Sequence, residues 1–289
     1  MHIHNVDLHY HAGQERAEGV SLSDHLQHAR LTGRRLIGIT DHLGLYLNAR
    51  KPGRHYEASV DGLRAYRAEL DALKPEFPDL KLYFAPEIGP GQDLDAMPDS
   101  VVSMSDFFIG EVAFPGMDAA ENTDALIERL VAYRMFSDAT NREIFLAHPF
   151  RSAVNLRLIK RDAEPWVSAM EPRWDGDFTV EEIGAFYMLD LDAIAAAAVQ
   201  HGIPLEVNGN TQYRIRCSNI PAPLQMLWRA CAYFRDRGVE LVPGSDQHGF
   251  TAGIGRVGGG VPADCFNALH LTVDHIGILQ RLRNGRHGM

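Results

Sequence analysis

Apolar positions along the chain come in short β-branched and aliphatic runs separated by longer stretches of helical period. The runs predict strands at 3–8, 36–40, 80–85, 107–112, 143–147, 204–208 and 239–243, most of them apolar almost throughout, as strands covered on both faces must be. Between them the pattern predicts helices near 21–33, 58–74, 123–137, 188–201 and 223–238, with others near 263–269 and 275–284. Asn122-Thr123-Asp124 offers a cap ahead of Ala125-Leu126-Ile127, and Gly202 and Gly238 stop their helices just before the next strand. Strands that alternate with helices in this way imply parallel βα units, hence a closed barrel or a doubly wound sheet.

Residues 150–187 break the rhythm. Pro165, Trp166, Pro172, Trp174 and Gly176 interrupt any period, so an elaborated loop is expected there, serving as a lid or a substrate wall. No internal repeat, low-complexity tract or linker divides the chain, and residues 1–289 are expected to form a single domain.

Polar residues decide between barrel and open sheet. His9-Tyr10-His11 closes the first apolar run, Asp41-His42 the second and Glu87 the third, while His148 follows Ile144-Phe145-Leu146-Ala147 and Asp246-Gln247-His248 follow the last. A histidine or carboxylate at the tip of a buried strand is costly unless something satisfies it, and a divalent cation does so well. Functional groups collected at the carboxyl ends of many strands are the pattern of a barrel. A dinucleotide-binding sheet would carry a glycine-rich turn after strand one, where this chain has His9-Tyr10-His11-Ala12-Gly13. The expected fold class is therefore α/β, a distorted (β/α)7 TIM-like barrel.

His9 and His11 share a strand face, as do Asp246 and His248, whereas only one of the adjacent Asp41 and His42 can point at a common centre. His42 is the expected ligand, with Asp41 behind it orienting an imidazole. Glu87 is placed to bridge two cations, and Pro149 is expected to keep His148 extended. His2 and His4 have the opposite parity if the strand is regular and are left outside the set. Mixed imidazole and carboxylate donors suit zinc, manganese or iron better than calcium or magnesium. The donors are too many for one tetrahedral ion. Two cations about 3.5–4 Å apart with a bridging hydroxide as nucleophile are suited to phosphoester hydrolysis.

These residues together resemble the polymerase and histidinol phosphatase (PHP) family of phosphoesterases. The motifs are Asp7-Leu8-His9-Tyr10-His11, Thr40-Asp41-His42, His148-Pro149 and Ser245-Asp246-Gln247-His248, with Pro86-Glu87 matching the family's bridging glutamate. The resemblance implies a distorted seven-stranded barrel with two or three metal ions. It would put His9, His11, Glu87 and Asp246 on one ion, His42 and His248 on a second, and Glu87 with His148 on a third. Two departures stand out. The family's histidine after an Ile-Gly-Ser-Val type strand is Ala113 here, with Glu111 as a possible substitute or the partner of an arginine; and the loop after His11 has no histidine, Glu15 being the nearest usable group. Glu206-Val207-Asn208 resembles the Glu-x-Asn of histidinol phosphatases, with Glu206 behind the ligands and Asn208 either at the substrate or capping a local turn. Tyr213-Arg214 and Pro221 continue that likeness. Arg214 is the leading phosphate clamp, followed by Arg216 and Arg151, because a guanidinium matches a phosphate bidentately. Asp246, His248 and Arg214 are the expected catalytic groups, Asp246 or a neighbouring histidine holding the nucleophile's proton.

A net charge of -10 argues against a surface that grips nucleic-acid backbone. Cys217, Cys231 and Cys265 lack metal-type spacing and suit reduced thiols, and no segment is long and apolar enough for a membrane span; a cytoplasmic protein acting on a small phosphorylated substrate is expected. The sequence does not indicate the oligomeric state. Two other readings are an amidohydrolase-like carbon–nitrogen hydrolase and a non-catalytic metal-bearing accessory module. Against the first, none of Lys51, Lys74, Lys81 or Lys160 ends a predicted strand. Against the second, no attached polymerase region accompanies the ligand set.

Overall fold

The computed structural model describes residues 2–47, 53–155, 177–218, 222–248 and 263–283. Strands β1 (Val6–His11), β2 (Leu36–Thr40) and β3 (Lys81–Phe84) form one parallel ladder in that order. Strands β4 (Glu87–Ile88), β5 (Phe108–Gly110), β6 (Ile144–Leu146), β7 (Leu205–Asn208) and β8 (Leu241–Gly244) form a second, also parallel and sequential. The two ladders close on each other at both seams. At one, Asp246 N donates to His9 O at 2.7 Å and His11 N to Gln247 O at 3.0 Å; at the other, Glu87 N donates to Asp41 O at 2.9 Å and Leu43 N to Glu87 O at 2.8 Å.

The third strand of the barrel is thus split into β3 and β4. Pro86, which has no N–H to give a ladder, sits at the break, and its carbonyl accepts from Ile109 N at 3.2 Å. With β3 and β4 counted as one, the fold is a distorted (β/α)7 barrel. Its strand residues are buried on both faces, apart from Lys81 at the start of β3.

Helices α1 (Leu22–Leu31), α2 (Gly44–Leu47), α3 (Val60–Leu73), α4 (Asp99–Met104), α5 (Ala119–Thr140), α6 (Arg151–Val154), α7 (Val180–Tyr187), α8 (Leu191–His201), α9 (Gly209–Cys217), α10 (Ala222–Asp236), α11 (Ala263–Ala268) and α12 (Gly277–Arg283) complete the fold. Among these described residues, no helix is long and apolar enough to cross a membrane. Cys217, Cys231 and Cys265 are free thiols.

Several expected boundaries move for identifiable reasons. The strand expected at 3–8 begins at Val6, because Ile3–Asn5 makes a 3-10 turn in which the Asn5 amide accepts from His2 N and donates to Gly33 O. Helix α5 starts at Ala119, four residues before the expected start at 123. Asp118 caps it by accepting from Glu121 N at 2.9 Å, while Asn122 and Thr123 are buried and spent on Gly116 O and Ala119 O. Gly202 closes α8 at φ 63°, a left-handed cap that suits glycine.

The loop expected over 150–187 is only partly a loop. Arg151–Val154 and Val180–Tyr187 are helical, the latter opened by a reciprocal Thr179–Glu182 capping box and burying Ile183, Phe186 and Tyr187. Its proline and tryptophan interruptions, at 165, 166, 172 and 174, lie outside the described residues.

Candidate metal centre

The carboxyl ends of the strands deliver their polar side chains to one buried point. β1 contributes His9 and His11, the turn after β2 His42, β4 Glu87, the residues after β6 His148, and those after β8 Asp246 and His248. An irregularity in the β1–β2 register between Asp7 and Tyr10 lies where β1 aims these imidazoles, a common use of bulges beside functional sites. His9 Nε2 is 3.0 Å from His11 Nε2, and Glu87 lies 3.4 Å from the first and 3.2 Å from the second. Asp246 Oδ1 is 3.7 Å and 3.5 Å from the same two nitrogens.

Around this pair two further groups form. Glu15 joins the set, its Oε2 lying 2.9 Å from His248 Nε2, 3.3 Å from His42 Nε2 and 3.6 Å from His11 Nδ1. Glu111 also reaches it. His148 Nε2 lies 3.2 Å from Glu87 Oε1 and 3.3 Å from Glu111 Oε1, while Arg129 meets Glu111 through the backbone carbonyl. Donor atoms of His11, Glu15, His42 and His248, of His9, His11 and Asp246, and of His42, Glu87 and Glu111 each lie within 4.8 Å of one another.

Buried charge shapes the proton positions. Burial opposes a charge on His9, but the Glu87 and Glu206 carboxylates outweigh it and push its pKa up to about 10. Burial, reinforced by neighbouring His248, holds His11 well below the ordinary imidazole value. Burial alone would raise Glu87, yet the surrounding imidazoles, His42 and His9 first, hold it well below the usual carboxylate range.

The chemistry of the donor set fits divalent cations. His11 Nδ1, Glu15 Oε2, Glu87 Oε2 and Asp246 Oδ1 are buried without a hydrogen-bond partner, and each belongs to a residue of these donor groups. Such atoms are expensive to bury unless a cation takes their lone pairs. The mix of imidazole and carboxylate without thiolate suits zinc, manganese or iron.

Glu206 holds the cluster from behind. Its Oε1 accepts from His9 Nδ1 at 3.0 Å, and its Oε2 accepts from His148 N at 2.7 Å and Asn208 Nδ2 at 3.0 Å. His148 consequently sits at φ 31° and not in the extended state its following proline favours; the anchored N–H and the ring's contacts override that local bias. Gly244 makes room for Glu206: a Cβ there would run into its carboxylate and into His9. Because an imidazole loses its orientation when its outer partner is lost, Glu206→Gln is expected to weaken metal binding about 10–100-fold. Isothermal titration of the chelated protein checks this, and unchanged affinity would contradict it.

Other expected roles change. Asp41 does not orient an imidazole. Its carboxylate accepts from Gln14 N, from Tyr46 Oη at 2.8 Å and from His42 N at 3.0 Å, so it fixes the loop that presents Glu15. Asn208 is the cap of α9, its Oδ1 accepting from Thr211 N at 2.7 Å while its Nδ2 donates to Glu206 at 3.0 Å, so of its two expected roles the structure shows the cap. Arg216 points to the surface and pairs with Asp264, since two residues along a helix from Arg214 is the other side. Arg214 is half-buried and donates to Asn210 Oδ1 at 3.2 Å and Asn155 Oδ1 at 3.0 Å. Arg151, ranked behind it from sequence, is the arginine that reaches the centre, its guanidinium directly against Asp246.

Residues not anticipated complete the support. Asn210 donates to Asp246 Oδ2 at 3.1 Å and so links Arg214 to the cluster. Asp7 joins Arg34 at 2.6 Å and accepts from Ser245 N at 2.8 Å. In the sequence Asp7 stands out as a carboxylate inside an apolar run and as the first residue of the Asp7-Leu8-His9-Tyr10-His11 motif, but neither names Arg34 as its partner.

No model of a known protein family matches the chain, and no curated protein matches it. Two solved structures are similar over nearly the full length. A dihydropteroate synthase from Xanthomonas albilineans in complex with 7,8-dihydropteroate is 14% identical, with 96% of this chain and 94% of that one covered at a TM-score of 0.43. A family 5 xyloglucanase from Paenibacillus pabuli in complex with ligand is 10% identical, with 98% and 99% covered at a TM-score of 0.35. Both likenesses are too distant to bear on chemistry.

Proposed function

We propose that the chain is a metal-dependent phosphoesterase of PHP type, cleaving a small phosphate monoester or phosphodiester. The observation that carries this reading is the convergence of His9, His11, His148, Glu87 and Asp246, all buried, with the partly exposed His42, His248, Glu15 and Glu111, and with an arginine against one of the carboxylates. His9, His11, Asp246 and Glu87 would hold one ion, Glu15, His42 and His248 a second, and Glu87, Glu111 and His148 a third. When bound, such ions supply a water nucleophile at neutral pH and positive charge beside the phosphoryl oxygens.

The chain's own groups do the rest. Arg151, and Arg214 behind it, present guanidinium donors that match two oxygens of a phosphate in one plane, holding the phosphorus in line with the attacking water. Asp246, fixed by Asn210, accepts the proton of that water, and His248 Nδ1, 3.0 Å from Asp246 O, keeps its proton on that carbonyl so that Nε2 faces the Glu15 and His42 group. Glu87 rather than a lysine stands between the groups, which favours phosphoester over carbon–nitrogen chemistry.

Chain stripped with a chelator and refilled with zinc, manganese or iron is expected to hydrolyse members of a panel of phosphomonoesters and small phosphodiesters, and to lose that turnover when stripped again. A refilled chain with measured bound metal and no turnover across the panel overturns the proposal.

A further inference from the structure

We propose that Gln14 is the positioning residue of Glu15: its side chain fastens the loop after β1 to the backbone of His55 and Tyr56, and Glu15 stays beside His42 and His248 only while that fastening holds. This rests on reading the cluster as a metal centre. Glu15 lies four residues past the end of β1, in a loop, yet its Oε2 is 2.9 Å from His248 Nε2 and 3.3 Å from His42 Nε2. An acid in a loop keeps such a place only if the backbone on either side of it is fixed. On one side Gln14 does this. Its N–H donates to the Asp41 carboxylate, and its side chain, 6% exposed, turns to a different segment. There Oε1 accepts from His55 N at 2.8 Å and from Tyr56 N at 3.1 Å, while Nε2 donates to Tyr56 O at 2.6 Å. Three of the four hydrogen bonds open to a carboxamide are thus made to one neighbouring stretch of backbone.

On the other side Arg16 reaches the same two residues. Its Nη1 donates to Tyr56 Oη at 2.9 Å, its guanidinium lies over the Tyr56 ring at 5.0 Å, and its carbonyl oxygen is 3.0 Å from His55 Nε2. Tyr56 Oη donates in turn to Glu69 on α3, so the segment that receives both residues is tied to the outer helices of the barrel. Gly53 keeps the space open, since a Cβ there would run into Tyr56 O and the Gln14 amide. Gln14 touches no member of the donor cluster through its side chain; it acts through Glu15, as partners behind a ligand do.

The test uses the full chain, stripped of metal and titrated with zinc by calorimetry, with amide hydrogen exchange followed on the stripped chain. Gln14→Ala should weaken one zinc at least ~10-fold while leaving another in place, and should speed exchange over 13–16 and 53–57 together. Gly53→Ala, which leaves Gln14 in the chain, should do the same. Gln14→Ala combined with Glu15→Gln should bind zinc no more weakly than Glu15→Gln alone, because both changes act through one donor, whereas a residue that only supports the fold would add its own loss. The proposal is overturned if Gln14→Ala binds every zinc as tightly as wild type, if its loss adds in full to that of Glu15→Gln, or if 13–16 stays protected while 53–57 opens. A wild-type chain that takes up no zinc is a different result, and overturns the metal-centre reading and this inference with it.

Discussion

Glu87→Gln is expected to empty the centre and to cost phosphoester turnover about 10³-fold or more, the several kcal/mol that correctly placed cations contribute to such a reaction. Glu87 is completely buried and lies against His9, His11, His42 and His148, so one carboxylate touches a member of each of the three groups of donors. Glutamine has nearly the same shape and leaves the barrel's packing intact. It offers one weaker acceptor in place of two charged ones, and turns an NH2 group toward imidazoles or cations. The negative charge that balances the cluster is lost as well. Metal content by elemental analysis and kcat/KM on the best substrate of the panel check this together. A variant that keeps its metal and loses less than tenfold in kcat/KM, about 1.4 kcal/mol, would refute the central position assigned to Glu87. A variant that empties but whose circular dichroism is unchanged separates loss of the site from loss of the fold.

Most of the barrel was readable because its strands are buried on both faces and so appear as short apolar runs. Each expected strand has a counterpart within a few residues, and each expected helix is present. The departures come from interactions between residues distant in sequence. Nothing local to Ile144-Phe145-Leu146 says that Glu206, 58 residues beyond His148, will take the His148 N–H and force a left-handed turn before a proline. Asp246 sits at φ 53° with its N–H on His9 O, again a contact across the barrel's seam. The convergence of His9, His11, His42, Glu87, His148, Asp246 and His248 is legible because a polar group at the end of an apolar run is locally anomalous. Glu15 and Glu111 were weaker signals, since acids in loops are ordinary and only the fold brings these two within reach of His248 and His148. Arg151 and Arg216 exchanged importance for a similar reason: sequence shows that a guanidinium exists, and the helix face decides where it points. Helix α7 departs from the expected loop because its own capping box and apolar face lie beyond the proline and tryptophan interruptions of that segment.

Asp7→Ala is expected to be the most damaging single change to stability, by about 3–5 kcal/mol, because it strands a buried guanidinium. Asp7 and Arg34 are 2% and 3% exposed and meet at 2.6 Å. Arg34 also donates to Thr32 Oγ1 at 2.6 Å and to Gln247 Oε1 at 2.9 Å, so the pair ties the β1 and β2 region to the segment carrying Asp246 and His248. Removing the carboxylate also leaves Ser245 N without its acceptor at the seam that closes the barrel. The measurement is urea unfolding of wild type and variant in excess chelator, so that bound metal does not add to the stability of the folded state. Asp7→Asn keeps an acceptor for Ser245 N and should fall between the two. Asp7→Ala combined with Arg34→Met should recover much of the loss, since an apolar pair needs no counter-charge, whereas a pair whose only contribution was surface attraction would cost less than about 1 kcal/mol when broken. If the single variant unfolds at the wild-type midpoint, or the double variant is less stable than the single by the full cost of Arg34's other two bonds, the seam is held by its backbone ladder and not by this charge.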